Sequence, residues 1–394
     1  MGAEKEVTME LNEKHTWVET DLDAIINNYD IISEISDRPF YVVLKADAYG
    51  HGAKYLAGCY RDMGAFGFCV SSFAEAMELR KSGITKPILI LGHTDPSKAY
   101  DLFKHNLTQA VLSYEYAAKL NACALYPVDC QIALDTGMGR IGFDLVNDKE
   151  NSLNLIKKTL DLHSLNISGV FSHFPVADSL TEHDIIYTQN AVDLFDECVE
   201  KMKSWGFKLK YLSGQNSRGI ARKLGDNYTV SRAGIILYGE QPSDEVILPG
   251  LKTCMKLKTV VTNVKTVPAG RKISYGLNFT AERETKVATL RCGYADGVPR
   301  ILSFVGHSVN IGGKLYPVIG NICMDQMMID ITDAEDLIAP GDEVLVMGGE
   351  GVTSLKSIAD RIHTIPHEIM CGIAKRVPRV YVKNGSVVHI QYGI

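Results

Sequence analysis

Short apolar runs of strand length recur through the first two thirds of the chain, and their alternation with helical patterns constrains the fold most. Eight such runs can be counted, beginning at Phe40–Leu44 and ending at Ala233–Leu237. Strands that alternate with helices form parallel sheets, because each crossover returns the chain to the same end of the sheet. Eight of them within about 200 residues predict closure into a (β/α)8, TIM-like barrel.

Two helix starts in this part of the chain are marked by capping-box patterns. Thr20 with Asp23 precedes a helical apolar stripe, and Ser72 with Glu75 precedes another. Gly83 is placed to end the second of these helices.

The pattern changes after about residue 250, where strands predominate. Turn signals such as Gly312-Gly313 and Asn384-Gly385 separate them, and only Thr353–Ile362 has a helical pattern. The predicted strands are Met255–Val267, Lys286–Leu290, Ser308–Ile311, Val318–Ile331, Glu343–Met347 and Val377–Ile390. We therefore predict an N-terminal lead-in over residues 1–18, a barrel over 19–250 and a β-rich C-terminal domain over 251–394.

Composition excludes several classes of partner. A net charge of -6 without a basic run argues against nucleic acid. Nine cysteines without a Cys-x-x-Cys pair indicate buried thiols in a reducing compartment and no metal site. No apolar stretch reaches about 18 residues, so no membrane segment is expected in this chain. We expect a cytoplasmic protein, or the cytoplasmic part of a longer membrane-anchored one.

Lys45 directly follows the first apolar run, and Tyr49 and a Gly-His-Gly break follow it. In parallel α/β folds the carboxyl ends of strands carry the chemistry. For an arbitrary strand, a surface lysine would be the better interpretation. Here the neighbouring hydroxyl and glycines favour an amine that can form a Schiff base.

The segment Leu44–Gly52 closely resembles the pyridoxal-phosphate lysine segment of the alanine racemase family, and further motifs across nearly the whole chain share the resemblance. The resemblance implies a (β/α)8 barrel followed by a β-rich domain. It also implies pyridoxal 5'-phosphate as cofactor, a small amino-acid substrate, and a homodimer whose active sites are shared between subunits.

The resemblance also implies roles for individual residues. Two bases would act on opposite faces of the substrate, Lys45 on the D-side and Tyr275 on the L-side. Arg232 would face the pyridine nitrogen and Arg140, in Asp135–Phe143, the phenolic oxygen. The implied cofactor-binding residues are Lys45, Tyr49, Arg140, His173, Ser217, Arg232, Gly234 and Ile235. The implied substrate-binding residues are Arg140, Met324 and His367.

Three residues depart from the family pattern. Ala133 stands where many members carry a carbamylated lysine that supports the arginine matching Arg140. Ser213 replaces a histidine that usually supports the arginine matching Arg232. His367 replaces a tyrosine that braces the catalytic tyrosine, so substrate choice does not follow directly from the resemblance.

Four functions remain open from the sequence. The first is racemisation of alanine, supplying D-alanine for peptidoglycan. The second is a serine, or serine/alanine, racemase of the vancomycin-resistance type. A non-catalytic pyridoxal-phosphate carrier would need neither Tyr275 nor a second domain. A decarboxylase would favour an acidic partner for the pyridine nitrogen, which Arg232 is not.

Overall fold

A computed structural model describes residues 15–393 of the chain. Residues 1–14, most of the predicted lead-in, lie outside the described range. The chain divides into two compact units. The larger, barrel unit comprises residues 26–48 and 53–251. Of the described residues, 15–25, 49–52 and 252–393 make up the smaller, β-rich unit.

The strands are numbered along the described chain. They are β1 (Thr16–Asp21), β2 (Phe40–Val43), β3 (Gly67–Val70), β4 (Ile88–Ile90), β5 (Thr108–Val111), β6 (Val128–Asp135), β7 (Phe143–Asp144), β8 (Leu165–Phe171), β9 (Tyr211–Ser213), β10 (Ser231–Ala233), β11 (Met255–Val267), β12 (Lys272–Ile273), β13 (Phe279–Thr280), β14 (Thr285–Leu290), β15 (Ser308–Ile311), β16 (Lys314–Ile319), β17 (Met327–Asp330), β18 (Glu343–Met347), β19 (Arg379–Lys383) and β20 (Ser386–Gln391). The α-helices span Leu22–Ser36, Ala53–Asp62, Phe73–Lys81, Ala99–Lys104, Tyr114–Cys123, Lys149–Leu160, Glu182–Ser204, Ser217–Ala221, Leu355–Arg361 and Pro366–Cys371.

The sheet of the barrel unit has nine parallel strands. Eight of them follow the order β10-β2-β3-β4-β5-β6-β8-β9, and the short β7 pairs with β6 off this path. Every residue of β2, β3 and β4 is buried, as expected for strands covered on both faces. Between β9 and β10 the Thr229 N–H donates to the Leu212 carbonyl at 3.0 Å, and the Arg232 N–H donates to the Gln215 carbonyl at 3.0 Å. The predicted parallel barrel is confirmed.

A nine-stranded sheet forms the β-rich unit, in the order β14-β17-β16-β15-β18-β11-β1-β19-β20. An additional pairing of β14 with β11 closes part of this sheet on itself. The two-residue turns Gly312-Gly313 and Asn384-Gly385 have positive φ at both positions, the geometry that hairpin turns require. The predicted β-rich C-terminal part is confirmed.

The capping-box patterns have different outcomes. The box of Ser72 with Glu75 is present at the start of helix Phe73–Lys81. The other is wrong: Thr20 belongs to β1, and it is the Asp21 carboxylate that accepts the Ala24 N–H, at 3.0 Å.

Two strand predictions also need correction. The eighth barrel strand ends at Ala233, because Gly234, with φ −122° and ψ −106°, turns the chain into a 3-10 helix over Ile235–Tyr238. The predicted strand Val318–Ile331 is two strands, β16 and β17, separated by a loop.

Candidate active site

Lys45 lies at the carboxyl end of β2 and is half-buried. The next four residues, Ala46 to Tyr49, have φ between 52° and 55°, a left-handed turn without glycine. Such backbone costs roughly 1–2 kcal/mol per residue, so the surroundings must stabilise it. One support is the Asp47 carboxylate, which accepts the Ala53 N–H at 2.7 Å. The conformation of this turn sets the direction in which Lys45 leaves the barrel wall.

Arg232 lies on β10 with only 4% of its surface exposed. Its Nη1 donates to the Ser213 carbonyl at 2.5 Å and to the Ser213 Oγ at 2.6 Å, and its Nη2 donates to the Ser172 carbonyl at 2.5 Å. Burial lowers the pKa of the guanidinium to about 10, which leaves it charged at neutral pH. Ser213, one of the departures from the family pattern, is therefore a direct hydrogen-bond partner of this arginine.

His173 lies just beyond β8, and its imidazole is neutral. Its Nε2 accepts a hydrogen bond from the Asn216 amide at 3.1 Å. Burial lowers the pKa of His173 well below its ordinary value, and the charges of Arg232, Arg140 and Lys45 lower it further. Three predicted cationic residues are thus close enough to act on a single imidazole.

The loop Asp135–Phe143, here called the arginine loop, carries Arg140 on an exposed position. The Asp135 Oδ1 accepts the N–H groups of Gly137 and Gly139, each at 3.0 Å. These bonds fold the loop over the carboxyl end of β6.

Glycine 142 and a tyrosine from a neighbouring helix fix the rest of the arginine loop. The Tyr187 hydroxyl donates to the Gly137 carbonyl at 2.5 Å. Gly142 has φ 110°, and a Cβ there would lie 2.7 Å from the carbonyl oxygen of Ala133. Only glycine fits that position without moving backbone.

A single pocket in the barrel unit gathers several of the predicted residues. Arg140, His173 and Arg232 all line it, together with the buried Ala133. The remaining lining residues are Leu91, Leu134, Asp135, Met138, Ile141, Phe171 and Ser172. The structure thus brings together residues from the ends of three different strands.

Ser217, Gly234 and Ile235 form a group of hydrogen-bond donors beyond β9 and β10. The Gly234 N–H donates to the Ser217 Oγ at 2.9 Å, so the hydroxyl hydrogen is directed elsewhere. Ile235 begins a 3-10 helix whose N-cap, Gly234, has no side chain to satisfy the first N–H groups. A hydroxyl beside uncapped backbone N–H groups is a donor set suited to a phosphate.

Tyr275 and Met324, both predicted site residues, are presented by two bonded loops of the β-rich unit. Tyr275 is 72% exposed and Met324 is 54% exposed. The Asn321 amide donates to the Tyr275 carbonyl at 2.7 Å, and the Ser274 hydroxyl donates to the Asn321 carbonyl at 2.6 Å. The two loops therefore hold each other in place while leaving both side chains exposed.

The methionine loop, residues 321–326, is fixed from its other side as well. The Ala295 N–H donates to the Met324 carbonyl at 2.9 Å. Arg376 donates to the Asp296 carboxylate at 2.8 Å and to the Asp325 carboxylate at 2.7 Å. Arg376 thus joins the methionine loop to the 3-10 turn Tyr294–Asp296.

His367 lies in helix Pro366–Cys371 and is half-buried. Its ring centre is 5.8 Å from that of Tyr49, with 52° between the ring planes. Tyr49 itself is buried. Both predicted residues therefore belong to the β-rich unit, and they pack against each other.

Sequence reasoning missed several residues that support the site. Glu75 was recognised only as a capping residue, although its carboxylate also accepts the Ala46 N–H at 2.8 Å. Asp47 and Arg376 gave no motif signal, because their partners are defined by the fold.

Across residues 15–393 no group of three or more His, Cys, Asp or Glu side chains is arranged to hold a metal ion. None of the helices in that range is long and apolar enough to cross a membrane.

The barrel unit places a lysine, two arginines and a neutral imidazole near its strand ends, where the active sites of barrel enzymes lie. Two family models match the chain: "Alanine racemase, N-terminal domain" over residues 20–242 and "Alanine racemase, C-terminal domain" over residues 254–381. The chain belongs to the alanine racemase family, and it is accordingly an isomerase.

Curated relatives and solved structures are similar along nearly the whole chain. The alanine racemase of Clostridium novyi (strain NT) is 41% identical over 383 residues, which cover 95% of this chain and 97% of that protein. Alanine racemase 1 of Clostridium acetobutylicum is 42% identical with the same coverage. The solved alanine racemase of Clostridium difficile 630 is 36% identical with a TM-score of 0.91, covering 97% of this chain and 99% of that one. These names give no support to the serine alternative.

Proposed function

We propose that this chain racemises alanine with pyridoxal 5'-phosphate as cofactor, and that it supplies D-alanine for peptidoglycan. The relatives named alanine racemase support the substrate. The observation that carries the proposal is the pocket lined by Arg140, His173 and Arg232, with Lys45 just beyond β2, the strand that pairs with the β10 of Arg232. Three cations with no charged imidazole among them suit a cofactor and a substrate that both carry negative charge.

The residues present fit a pyridoxal phosphate. The Ser217 hydroxyl and the first N–H groups of the 3-10 helix would hold the phosphate. The lack of a side-chain cap on this helix supports that role. Bound pyridoxal phosphate would delocalise the negative charge that develops at the substrate α-carbon. The residues proposed to hold it are Lys45, Tyr49, Arg140, His173, Ser217, Arg232, Gly234 and Ile235.

Arg232 supports racemisation over decarboxylation. A guanidinium can donate but cannot accept a hydrogen bond, so it would leave a pyridine nitrogen unprotonated. Its three bonds to Ser213 and Ser172 fix the position of the guanidinium, which supports this role. The cofactor would then withdraw electrons less strongly than beside a carboxylate, which suits a reaction that must return the proton.

Racemisation needs a proton acceptor on one face of the α-carbon and a proton donor on the other. We assign the D-side base to Lys45 and the L-side base to Tyr275. The exposure of the Tyr275 side chain suits a group that acts in a partner subunit. We therefore propose a homodimer in which each site takes Lys45 from one chain and Tyr275 from the other.

The substrate carboxylate would be held by the Met324 backbone N–H and by Arg140. The Arg376 bridge and the Ala295 bond give the methionine loop a fixed position, which a backbone donor requires because it cannot adjust by a rotamer change. His367 is proposed to face the substrate side chain.

The first experiment replaces the lysine. Lys45→Ala should remove racemisation of L-alanine and also the near-visible absorbance of the bound cofactor, while the far-UV circular dichroism stays unchanged. Lys54→Ala, on an exposed position of the following helix, is the matched control and should behave as the wild type. Retained absorbance and activity in Lys45→Ala would refute the assignment, and a wild type that binds the cofactor without racemising alanine would be a carrier.

The second experiment tests the shared site. Lys45→Ala and Tyr275→Phe chains, each inactive alone, are mixed and allowed to exchange subunits. Half of the dimers become hybrids, and one site of each hybrid has both bases, so about one quarter of the wild-type activity should return. Mass spectrometry must first show that the subunits have exchanged. If no activity returns after that, sites shared between subunits are excluded.

A further inference from the structure

We infer that Glu75 is a positioning residue for Lys45, acting through the left-handed turn that follows the lysine. The inference rests on the proposed role of Lys45 and adds to it the residue that sets its direction. Glu75 lies one strand away, at the start of helix Phe73–Lys81.

The Glu75 carboxylate joins the ends of two neighbouring parallel strands. Its Oε1 accepts the Ala46 N–H at 2.8 Å. Its Oε2 accepts the N–H groups of Ser71 and Ser72 at 2.7 and 3.1 Å. All three donors are backbone groups just beyond β2 or β3. Because the acceptor is ionised, these bonds are stronger than those between neutral groups.

The bond to Ala46 acts directly on the lysine. The Ala46 N–H and the Lys45 carbonyl belong to the same planar peptide unit, so fixing that N–H fixes the ψ angle of Lys45. The Ala46 residue is also the first of the four left-handed residues. Without the carboxylate, the peptide unit can rotate towards ordinary backbone conformations, and the lysine amine moves with it.

A capping role alone does not account for this carboxylate. A capping box uses the side chain of its third helical residue to accept the N-cap N–H, and here Oε2 does so at Ser72. The other oxygen bonds to a residue 29 positions earlier in the chain. The two roles can be separated, because the Ser72 hydroxyl accepts the Glu75 N–H at 3.3 Å and takes no part in the bond to Ala46.

Three variants separate the roles. Glu75→Ala removes both the cap and the bond to Ala46. Glu75→Gln retains one carbonyl oxygen, so it can accept from Ala46 or from Ser71 and Ser72, but not from both. Its NH2 group would face the N–H donors that the oxygen does not reach. Ser72→Ala is the matched control, because it weakens the cap and leaves the bond to Ala46.

The experiment measures kcat and KM for L-alanine, the thermal midpoint, the cofactor dissociation constant, and hydrogen exchange of the peptide containing Ala46. We expect Glu75→Ala to lower kcat by about 10- to 100-fold, because small displacements of a reacting group have effects of this size, with KM within about threefold. Exchange at the Ala46 peptide should accelerate, and Glu75→Gln should lie between Glu75→Ala and the wild type. Ser72→Ala should lower the thermal midpoint about as much as Glu75→Ala does, yet its kcat should stay within about twofold of the wild-type value.

Equal kcat losses in Glu75→Ala and Ser72→Ala at equal thermal midpoints would overturn the inference, and so would unchanged exchange at the Ala46 peptide in both Glu75 variants. If Glu75→Ala does not fold, the same measurements on Glu75→Gln are compared with those on Ser72→Ala. Failure of the proposed function has a different signature. In that case Lys45→Ala keeps its activity, whereas accelerated exchange in Glu75→Ala still reports that the carboxylate holds the turn.

Discussion

A buried histidine in the β-rich unit should make this unit sensitive to mild acid. His307 is 1% exposed and neutral, with Nε2 bonded to the Val346 carbonyl at 3.2 Å and Nδ1 to Arg361 at 3.3 Å. Burial, together with the nearby Arg361 charge, lowers the pKa of His307 to about 4. Protonation in the folded state would place a second cation against the guanidinium.

The size of the effect follows from the two pKa values. In the unfolded chain a histidine has a pKa of about 6.5. Between pH 6.5 and 4 the unfolded state therefore binds more protons, and the free energy of unfolding falls as the pH falls. The loss from this residue should reach about 2 kcal/mol at pH 5 and about 3 kcal/mol below pH 4, and it should vanish above pH 7.

Urea unfolding followed by tryptophan fluorescence can measure this loss for the β-rich unit alone. The chain has two tryptophans, and Trp17 is buried on β1. A Trp205→Phe background therefore leaves one reporter in the unit that holds His307. The perturbation is His307→Gln, whose amide can still donate to the Val346 carbonyl but does not titrate. His15→Gln, at an exposed position of the same unit, is the control.

Other groups also titrate in this pH range. The prediction therefore concerns the difference in the free energy of unfolding between the variants and the wild type. Between pH 7.5 and pH 4, the free energy of unfolding of the wild type should fall by about 3 kcal/mol more than that of His307→Gln. Both are measured at the same protein concentration. His15→Gln should follow the wild type. Parallel pH dependences of the wild type and His307→Gln would mean that His307 is not held neutral by the fold, and the reasoning from burial would be refuted.

Two further predictions concern the site. Gly142→Ala should lower kcat/KM at least about tenfold, because the added Cβ displaces the backbone of the arginine loop. At Gly139 φ is 67° and nothing lies within 4 Å of an added Cβ. Gly139→Ala should therefore lower only the free energy of unfolding, by roughly 1–2 kcal/mol. Equal losses of kcat/KM in Gly142→Ala and Gly139→Ala would refute the role of the loop's position. His367→Tyr should shift the ratio of kcat/KM for serine and alanine toward alanine by at most about tenfold, as the loss of one hydrogen bond allows. An unchanged ratio, measured with both amino acids, would show that His367 only packs against Tyr49.

The sequence allowed the barrel to be predicted wherever burial is continuous along a strand. β2, β3 and β4 are apolar throughout because both of their faces are covered. β1 could not be predicted in this way. It pairs with β11 and β19, more than 200 residues later, so its role as part of the C-terminal sheet depends on partners that local patterns do not reveal.

Backbone conformation explains the other differences. A left-handed turn is normally signalled by glycine, and the glycines at 50 and 52 did indicate a break. The turn begins earlier, at Ala46. It is held by the Glu75 carboxylate from elsewhere in the fold and by the Asp47 carboxylate of the turn itself. The family resemblance named the side chains to which the chemistry is proposed to belong. The contact that fixes the direction of Lys45 is long-range, and the sequence did not reveal it.

The charges in the barrel pocket restrict which residue can move a proton there. Burial and the four cations Arg232, Arg140, Lys45 and Arg218 keep His173 neutral. Its Nε2 already accepts a hydrogen bond from Asn216. An imidazole whose pKa is lowered this far is a weak base at neutral pH. Arg232 remains protonated even with its lowered pKa of about 10, so it cannot serve as a base either. Among the residues that act on this imidazole, Lys45 is therefore the amine to which the proposed proton transfer is assigned. The second base that the proposed mechanism needs must come from outside the barrel pocket.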